Sequence, residues 1–189
     1  MSERYGCFND IDPNSCCEHM CLSFKPSSVP IKQRWRNNGL SADFLGDYLT
    51  TFFPKDNDQP GSEKKQAEVR DAATYIANEL LENAMKYCDD SGNIPNSINL
   101  TLLPDQLIFT EINGISAVQK HEFKAFINEL ENSDPDDLFM KKLEASAESE
   151  GASGLGYLTM INDYQAELGW QFDNVNSAHK VTTQVVIKV

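Results

Sequence analysis

Glu79-Leu-Leu-Glu-Asn83-Ala-Met-Lys86-Tyr87 closes the longest helical stretch of the chain, Glu63 to Tyr87, and its reading decides the fold. Upstream of it, Val69, Ala72, Ala73, Ile76, Ala77, Leu80 and Ala84 recur at three- and four-residue spacing, the pattern of a helix with one buried face. Glu79 and Asn83, four residues apart, share a face and flank that stripe. An amide oxygen there can bind a hard divalent cation between phosphates, and a carboxylate one turn away can take a proton from an attacking water or hydroxyl. Glu82 with Lys86 reads as an ordinary i,i+4 ion pair. Taken alone, the segment fits a solvated helix face equally well.

Beyond this helix, Ile98-Asn-Leu-Thr-Leu102 alternates as a half-buried strand, Pro104-Asp105 is a turn, and Gln106 to Ile112 returns as the second arm of a hairpin. Helices follow at Ala117 to Leu130, with Phe123, Phe126, Ile127 and Leu130 as its apolar stripe, and at Pro135 to Ala147. Next comes the small-residue loop Gly151-Ala-Ser153-Gly154-Leu155-Gly156, placed directly before a helix carrying Leu158, Ile161, Tyr164 and Leu168. Glycines let a backbone approach phosphate oxygens, and a helix N-terminus supplies free N–H groups and a favourable dipole. A lone glycine loop is a weak signal. Two strands, Trp170 to Val175 and His179 to Val189, end the chain. Hairpins interleaved with helices predict an α+β, two-layer sandwich on a mixed, mostly antiparallel sheet.

Together the helix end and the glycine loop resemble the N-box and second glycine box of the GHKL ATPase superfamily, and the element order resembles its Bergerat fold over residues 63–189. The resemblance implies ATP and Mg2+ as cofactors, Glu79 as general base and Asn83 as the magnesium ligand. It also implies phosphate contacts from Gly151, Ser153, Gly154, Leu155 and Gly156, with Lys86 and Tyr87 at the end of the N-box near the nucleotide. Where the family has an Asp-x-Gly-x-Gly box that reads adenine, this chain has Glu111-Ile-Asn113-Gly114-Ile-Ser. Asn113 is the expected adenine reader, Gly114 the expected turn, and Glu111 the next candidate. His121-Glu-Phe-Lys124 superficially resembles a histidine-kinase phosphoacceptor box, but it follows the N-box and lacks the proline. It reads as an exposed helix segment with Phe123 in the core.

Toward the N-terminus, Glu18 to Phe24 alternates as a strand, with Cys17, His19, Cys21 and Ser23 on one face. One helix is expected from Pro30 to Arg36, capped by Ser28 or Val29 and ended at Asn37-Asn38-Gly39. Another is expected from Ala42 to Phe53, capped by Ser41 and stopped by Pro54. Five cysteines, four of them (Cys7, Cys16, Cys17, Cys21) within the first 21 residues beside His19, give no Cys-x-x-Cys spacing, so partly buried reduced thiols are expected rather than a metal site. With a formal charge of -13, neither a nucleic-acid nor a membrane-surface role fits. The one basic cluster, Lys32 to Arg36, reads as a solvated helix face. No apolar run reaches the roughly 18 residues of a membrane span, and a signal-peptide core is lacking, so the expected location is cytoplasmic.

The chain thus resembles stand-alone bacterial GHKL regulators such as anti-sigma-factor serine kinases. Residues 1–62 then form an N-terminal strand and helices shaping a dimer or partner surface of the same domain, and a homodimer is expected. Two functions stay open: a serine/threonine kinase acting on a small STAS-like antagonist, or a non-catalytic module whose nucleotide state controls partner binding. Glu79 favours the first and the altered adenine box the second.

Overall fold

The computed structural model describes residues 2–12, 18–25, 31–56, 58, 60–89, 94–148, 154–175 and 178–189, with backbone alone for 31–35 and 146–148. Its strands are β1 (Glu3–Gly6), β2 (Glu18–Phe24), β3 (Asn96–Leu102), β4 (Gln106–Ile115), β5 (Glu167–Val175) and β6 (Ala178–Lys188). Its helices are α1 (Ile31–Leu49, followed by a 3-10 turn, Thr50–Phe52), α2 (Ser62–Lys86), α3 (Ala117–Glu131), α4 (Pro135–Glu148) and α5 (Leu155–Tyr164). The strands form one six-stranded sheet in the order β1-β5-β6-β4-β3-β2. Each pairing is antiparallel, so the α+β sandwich stands as expected while the sheet is not mixed among the described residues.

Period-two alternation builds the core. Leu107 and Phe109 of β4, Val185 and Ile187 of β6, and Leu168, Trp170 and Phe172 of β5 point one way, toward the helices. Against them lie Ala73, Ile76, Ala77 and Leu80 of α2, Ile127 and Leu130 of α3, and Leu158 of α5. Alanines dominate the α2 stripe, which lets that helix sit close to the sheet. Its C-terminal end is tied down by the fully buried Asn96 of β3, whose amide donates to the Ala84 carbonyl at 3.2 Å. The outer face of the sheet is partly roofed by the segment after β1, where Asn9 and Gln184 exchange two hydrogen bonds of 2.8 and 3.0 Å.

Four boundaries differ from the sequence reading. α1 runs unbroken through Asn37-Asn38-Gly39, because the Asn38 side chain, instead of capping, is buried and donates to the Leu81 carbonyl of α2 at 3.2 Å. Tertiary packing there outweighs local helix-stop chemistry. β4 continues to Ile115, pairing Asn113 with Val181 and Gly114 with Lys180, so Gly114 is a strand residue and not a turn. α5 stops at Tyr164, where Gln165 takes a left-handed conformation (φ 52°) and Ala166 N–H closes on the Met160 carbonyl, so Leu168 belongs to β5. β1, four residues on one edge of the sheet, had too short a pattern to be read.

β2 alternates as predicted, with Met20, Leu22 and Phe24 toward the core and His19, Cys21 and Ser23 exposed. Cys7 and Cys21 are exposed rather than partly buried, and they lie at opposite edges of the sheet; Cys88 is half-buried. Cys16, Cys17 and the Ser28 or Val29 cap fall outside the described residues. Among the described residues no cluster of three His, Cys, Asp or Glu side chains is placed to hold a metal, and no helix is long and apolar enough to cross a membrane.

Candidate functional site

The same alternation that buries Leu107 and Phe109 carries Glu111 and Asn113 onto the helix-facing side of β4. Register then sets Glu111 beside Thr183 of β6 and Thr183 beside Trp170 of β5, a polar row across the middle of the sheet. Glu111 is 3% and Thr183 1% exposed. Glu111 Oε1, Thr183 Oγ1 and Trp170 Nε1 all lack a hydrogen-bond partner. None of the three makes a well-aligned bond, although Thr183 lies beside both Glu111 and Tyr157 and Trp170 lies beside Tyr157, and a buried polar atom without a well-formed bond costs about 1–3 kcal/mol. Burial pushes the Glu111 carboxyl well above the ordinary carboxylate range, with the Thr183 hydroxyl pulling the other way. Its neutral form offers one donor and one acceptor.

Above Glu111 and Thr183 opens a cavity of about 100 Å3. Asn83 of α2 and Tyr87 just after it, Gln119, Glu122, Phe123 and Phe126 of α3, and Gly154 and Tyr157 at the start of α5 wall it. α3 is launched beside it by a capping box: Gln119 N–H donates to Ser116 Oγ at 3.2 Å, and Ser116 N–H donates to Gln119 Oε1 at 2.9 Å. Phe123 stacks on Phe126 and Tyr157, giving the cavity an aromatic side. Burial, reinforced by Glu111, raises the Tyr157 hydroxyl far above its usual range, while Thr183, Asn83 and Trp170 beside it act the other way. That hydroxyl is therefore a neutral hydrogen-bonding group facing Asn83.

Of the residues singled out from sequence, Asn83, Tyr87, Glu111, Asn113 and Gly154 line this one cavity. Gly154 caps α5 at φ 99° with the Phe126 ring against its Cα, where a Cβ would collide. Leu155 and Gly156 open α5, whereas Gly151 and Ser153 lie outside the described residues. Gly114 stands at the side: its carbonyl accepts Asp89 N–H at 2.8 Å, and a side chain there would press on Ile94. Lys86 is exposed and pairs with Glu82 at 3.7 Å, the surface pair read from sequence. Asn113 is buried, and its amide donates to the Gly114 carbonyl at 3.3 Å.

Glu79 sits one turn back from Asn83, off the cavity wall. Its carboxylate lies so close to Gly156 that any Cβ there would strike Oε2. Burial, and then the neighbouring Glu82, raise Glu79 above the usual carboxylate range, with Lys86 opposing. A carboxylate with a raised proton affinity beside the first turn of a helix has the chemistry of a general base. His121 is exposed on α3 and Phe123 packs on the core, as read; Lys124 pairs with Glu3 at 2.6 Å.

Thr183, Tyr157, Gln119, Glu122 and Phe126 were not picked out as site residues. Thr183 sits in an alternating Val-Thr-Val run and carries no local signal; only its register against Glu111 brings it to the site.

No protein-family model and no curated protein matches the sequence. Among solved structures, a chain from the crystal structure of the SiaB–SiaC complex from Pseudomonas aeruginosa matches with a TM-score of 0.59 at 13% identity, over 89% of each chain. At that identity the likeness is one of fold.

Proposed function

We propose that the chain is an ATP-binding, partner-switch regulator that phosphorylates a serine or threonine of a small STAS-like protein. The observation that supports it most is the cavity whose floor holds Glu111 Oε1 and Thr183 Oγ1, neither in a well-formed hydrogen bond, and whose rim holds Asn83 and Gly154. A nucleotide base suits such a floor, because its edge carries donors and acceptors together while its faces suit the aromatic wall. At about 100 Å3 the cavity takes a ring system and not a whole nucleotide, since complete small-molecule sites run to roughly 300–1,000 Å3. Phosphates would therefore lie outside it, toward Asn83 and the α5 N-terminus, where backbone N–H groups and the helix dipole favour anions. That the fold neighbour comes from a complex of two proteins supports partner binding.

When bound, ATP supplies the phosphoryl group, and Mg2+ neutralises charge between its phosphates. Asn83 would hold the cation through its amide oxygen. Glu79 would orient the partner's hydroxyl and accept its proton as that oxygen takes the terminal phosphoryl group, leaving ADP. Placement contributes most of such a rate enhancement, which is why one carboxylate decides it. Because its burial raises its pKa, the base would lose its lone pair at a higher pH than an ordinary glutamate, and transfer would fall as pH drops through that value.

The experiment is mass spectrometry of the co-purified partner after incubation with ATP and Mg2+. Glu79→Gln should retain ATP and partner binding and lose transfer, whereas Glu82→Gln should transfer nearly as wild type. A second reading, a nucleotide-controlled binding module without transfer, is favoured by Glu79 lying against Gly156 and off the cavity wall. An unmodified partner, in a complex whose affinity still responds to nucleotide, would select it.

A further inference from the structure

Glu79 faces a second opening. α1 and α2 run antiparallel, with Asn38 meeting Leu81 at one end of their seam and Asp47 meeting Arg70 at the other. Along that seam lies a groove of about 370 Å3, walled by Gly39 and Asp43 of α1 and by Arg70, Asp71, Asn78 and Glu79 of α2. Its size falls within the roughly 300–1,000 Å3 of ligand sites, enough for a short stretch of chain. Glu79 lines this groove and not the cavity over Glu111, whereas Asn83 lines that cavity and not the groove. The Glu79 carboxylate, resting against Gly156, thus stands where the groove reaches the first turn of α5. A group that approaches Glu79 along the groove arrives from outside the space a nucleotide base would fill.

Shape and charge identify the occupant. A Cβ added at Gly39 would meet nothing within 4 Å, so the Glu79 end of the groove is open. Asp71 lies about 12 Å from Glu79 along α2, the span of about four extended residues. The walls carry three carboxylates, Asp43, Asp71 and Glu79, against one cation, Arg70. Arg70 is already engaged by Asp47 at 2.7 Å and by Asp71 at 3.7 Å. Asp43 adds to the field at Arg70 but makes no ion pair among the described residues. Such a groove attracts a basic segment and rejects an acidic one, and the net charge of -13 steers the same choice at longer range.

We propose that this groove receives an extended, basic segment of the partner. The segment sets its serine or threonine hydroxyl against Glu79 and a lysine or arginine, within about four residues of that hydroxyl, against Asp43 and Asp71. The role of Glu79 rests on the kinase reading above, while the basic specificity rests on the groove. In the transfer step the hydroxyl oxygen bonds to the terminal phosphorus of ATP, the bond from that phosphorus to the bridging oxygen breaks to leave ADP, and the hydroxyl proton goes to Glu79.

The probes are synthetic peptides of about nine residues with a central serine, alanine elsewhere, and a single lysine or glutamate about three residues from the serine. Fluorescence anisotropy reads their binding to the full chain. Wild type should bind the lysine peptide about tenfold or more tighter than the glutamate peptide. Gly39→Trp, which fills the open end, and Asp43→Lys should each weaken lysine-peptide binding about tenfold or more, with the fold kept by circular dichroism and the Tm rise with ATP and Mg2+ unchanged. Asp43→Lys should also narrow or reverse the preference between the two peptides, and it carries the test if bulk at Gly39 disturbs α1. Equal binding of the two peptides by wild type, no binding of either, or undiminished binding by both variants would each overturn the groove. Mass spectrometry of the lysine peptide after incubation with ATP and Mg2+ keeps the two readings apart. A peptide that binds in the groove and stays unmodified overturns the kinase step and leaves the groove as a docking site.

Discussion

Glu111 is about as deeply buried as Ile108 and Ile115 of its own strand, and burial is what sets its protonation. In the unfolded chain it titrates near the ordinary glutamate value of about 4.3. In the folded chain it keeps its proton to higher pH, so between the two values the native state binds more protons and stability falls as pH rises. The stability tied to the neutral carboxyl is fully present below the unfolded value and lost on the way up to the folded one. Glu111→Gln, which keeps the neutral shape without the ionisation, should therefore gain stability relative to wild type as pH rises from about 4.5 to about 8. Urea unfolding of both proteins across that range measures it; parallel pH profiles would show that Glu111 does not titrate as burial requires. The sequence named Glu111 only as second choice to Asn113. Both alternate onto the same face, and what separates them is satisfaction: Asn113 has a partner in the Gly114 carbonyl, and Glu111 Oε1 has none.

α1 holds two glycines in the same helix with opposite surroundings. A Cβ added at Gly39 meets nothing within 4 Å, whereas one at Gly46 would collide with Thr74 Oγ1 and come 3.0 Å from the Arg70 carbonyl oxygen. Gly39→Ala should stabilise the protein by about 0.5–1 kcal/mol, by removing backbone freedom from the unfolded chain at no steric cost. Gly46→Ala should destabilise it by about 1–3 kcal/mol, since Thr74 is β-branched and the α2 backbone behind it must shift. Denaturation midpoints of the two variants give the signs directly; a stabilising Gly46→Ala would mean that α1 does not rely on close approach to α2. The same pair explains why the helix was read as two. Asn37-Asn38-Gly39 carries local stop signals, and the cost of running a helix through it is offset in part by Asn38 reaching the Leu81 carbonyl, a contact 43 residues away. α2, α3 and the β3–β4 hairpin were legible because their periodicity is long and their caps are local. β1 and the end of α5 depend on sheet pairing and on a left-handed Gln165, which leave little trace in sequence.

At the scale of the whole molecule, β1 is one edge strand of the sheet and β2 the other, so these two N-terminal strands border the core on both sides. Asn83 and Gly154 were singled out from sequence as separate motifs, but their meeting over Glu111 and Thr183 is a product of strand order, with β4 and β6 as neighbours beneath α2 and α5. A ligand filling that junction touches elements drawn from residues 83 to 183 and so binds only the folded chain. Such a ligand stabilises by mass action, about 2.7 kcal/mol at a hundred times its Kd. For a chain of this size each kcal/mol raises Tm by about 2–4 °C, so ATP with Mg2+ at that level should raise it by about 5–10 °C. Asn83→Ala should remove most of the Mg2+-dependent part, because its amide is the only protein ligand assigned to the cation. Glu79→Gln should keep the full rise, because a base that takes the partner's proton adds nothing to ground-state nucleotide binding. Differential scanning fluorimetry with ATP, with and without Mg2+, reads all three; an unchanged Tm at millimolar ATP in wild type would remove the nucleotide from the site and leave the α1–α2 groove to be judged by peptide binding alone.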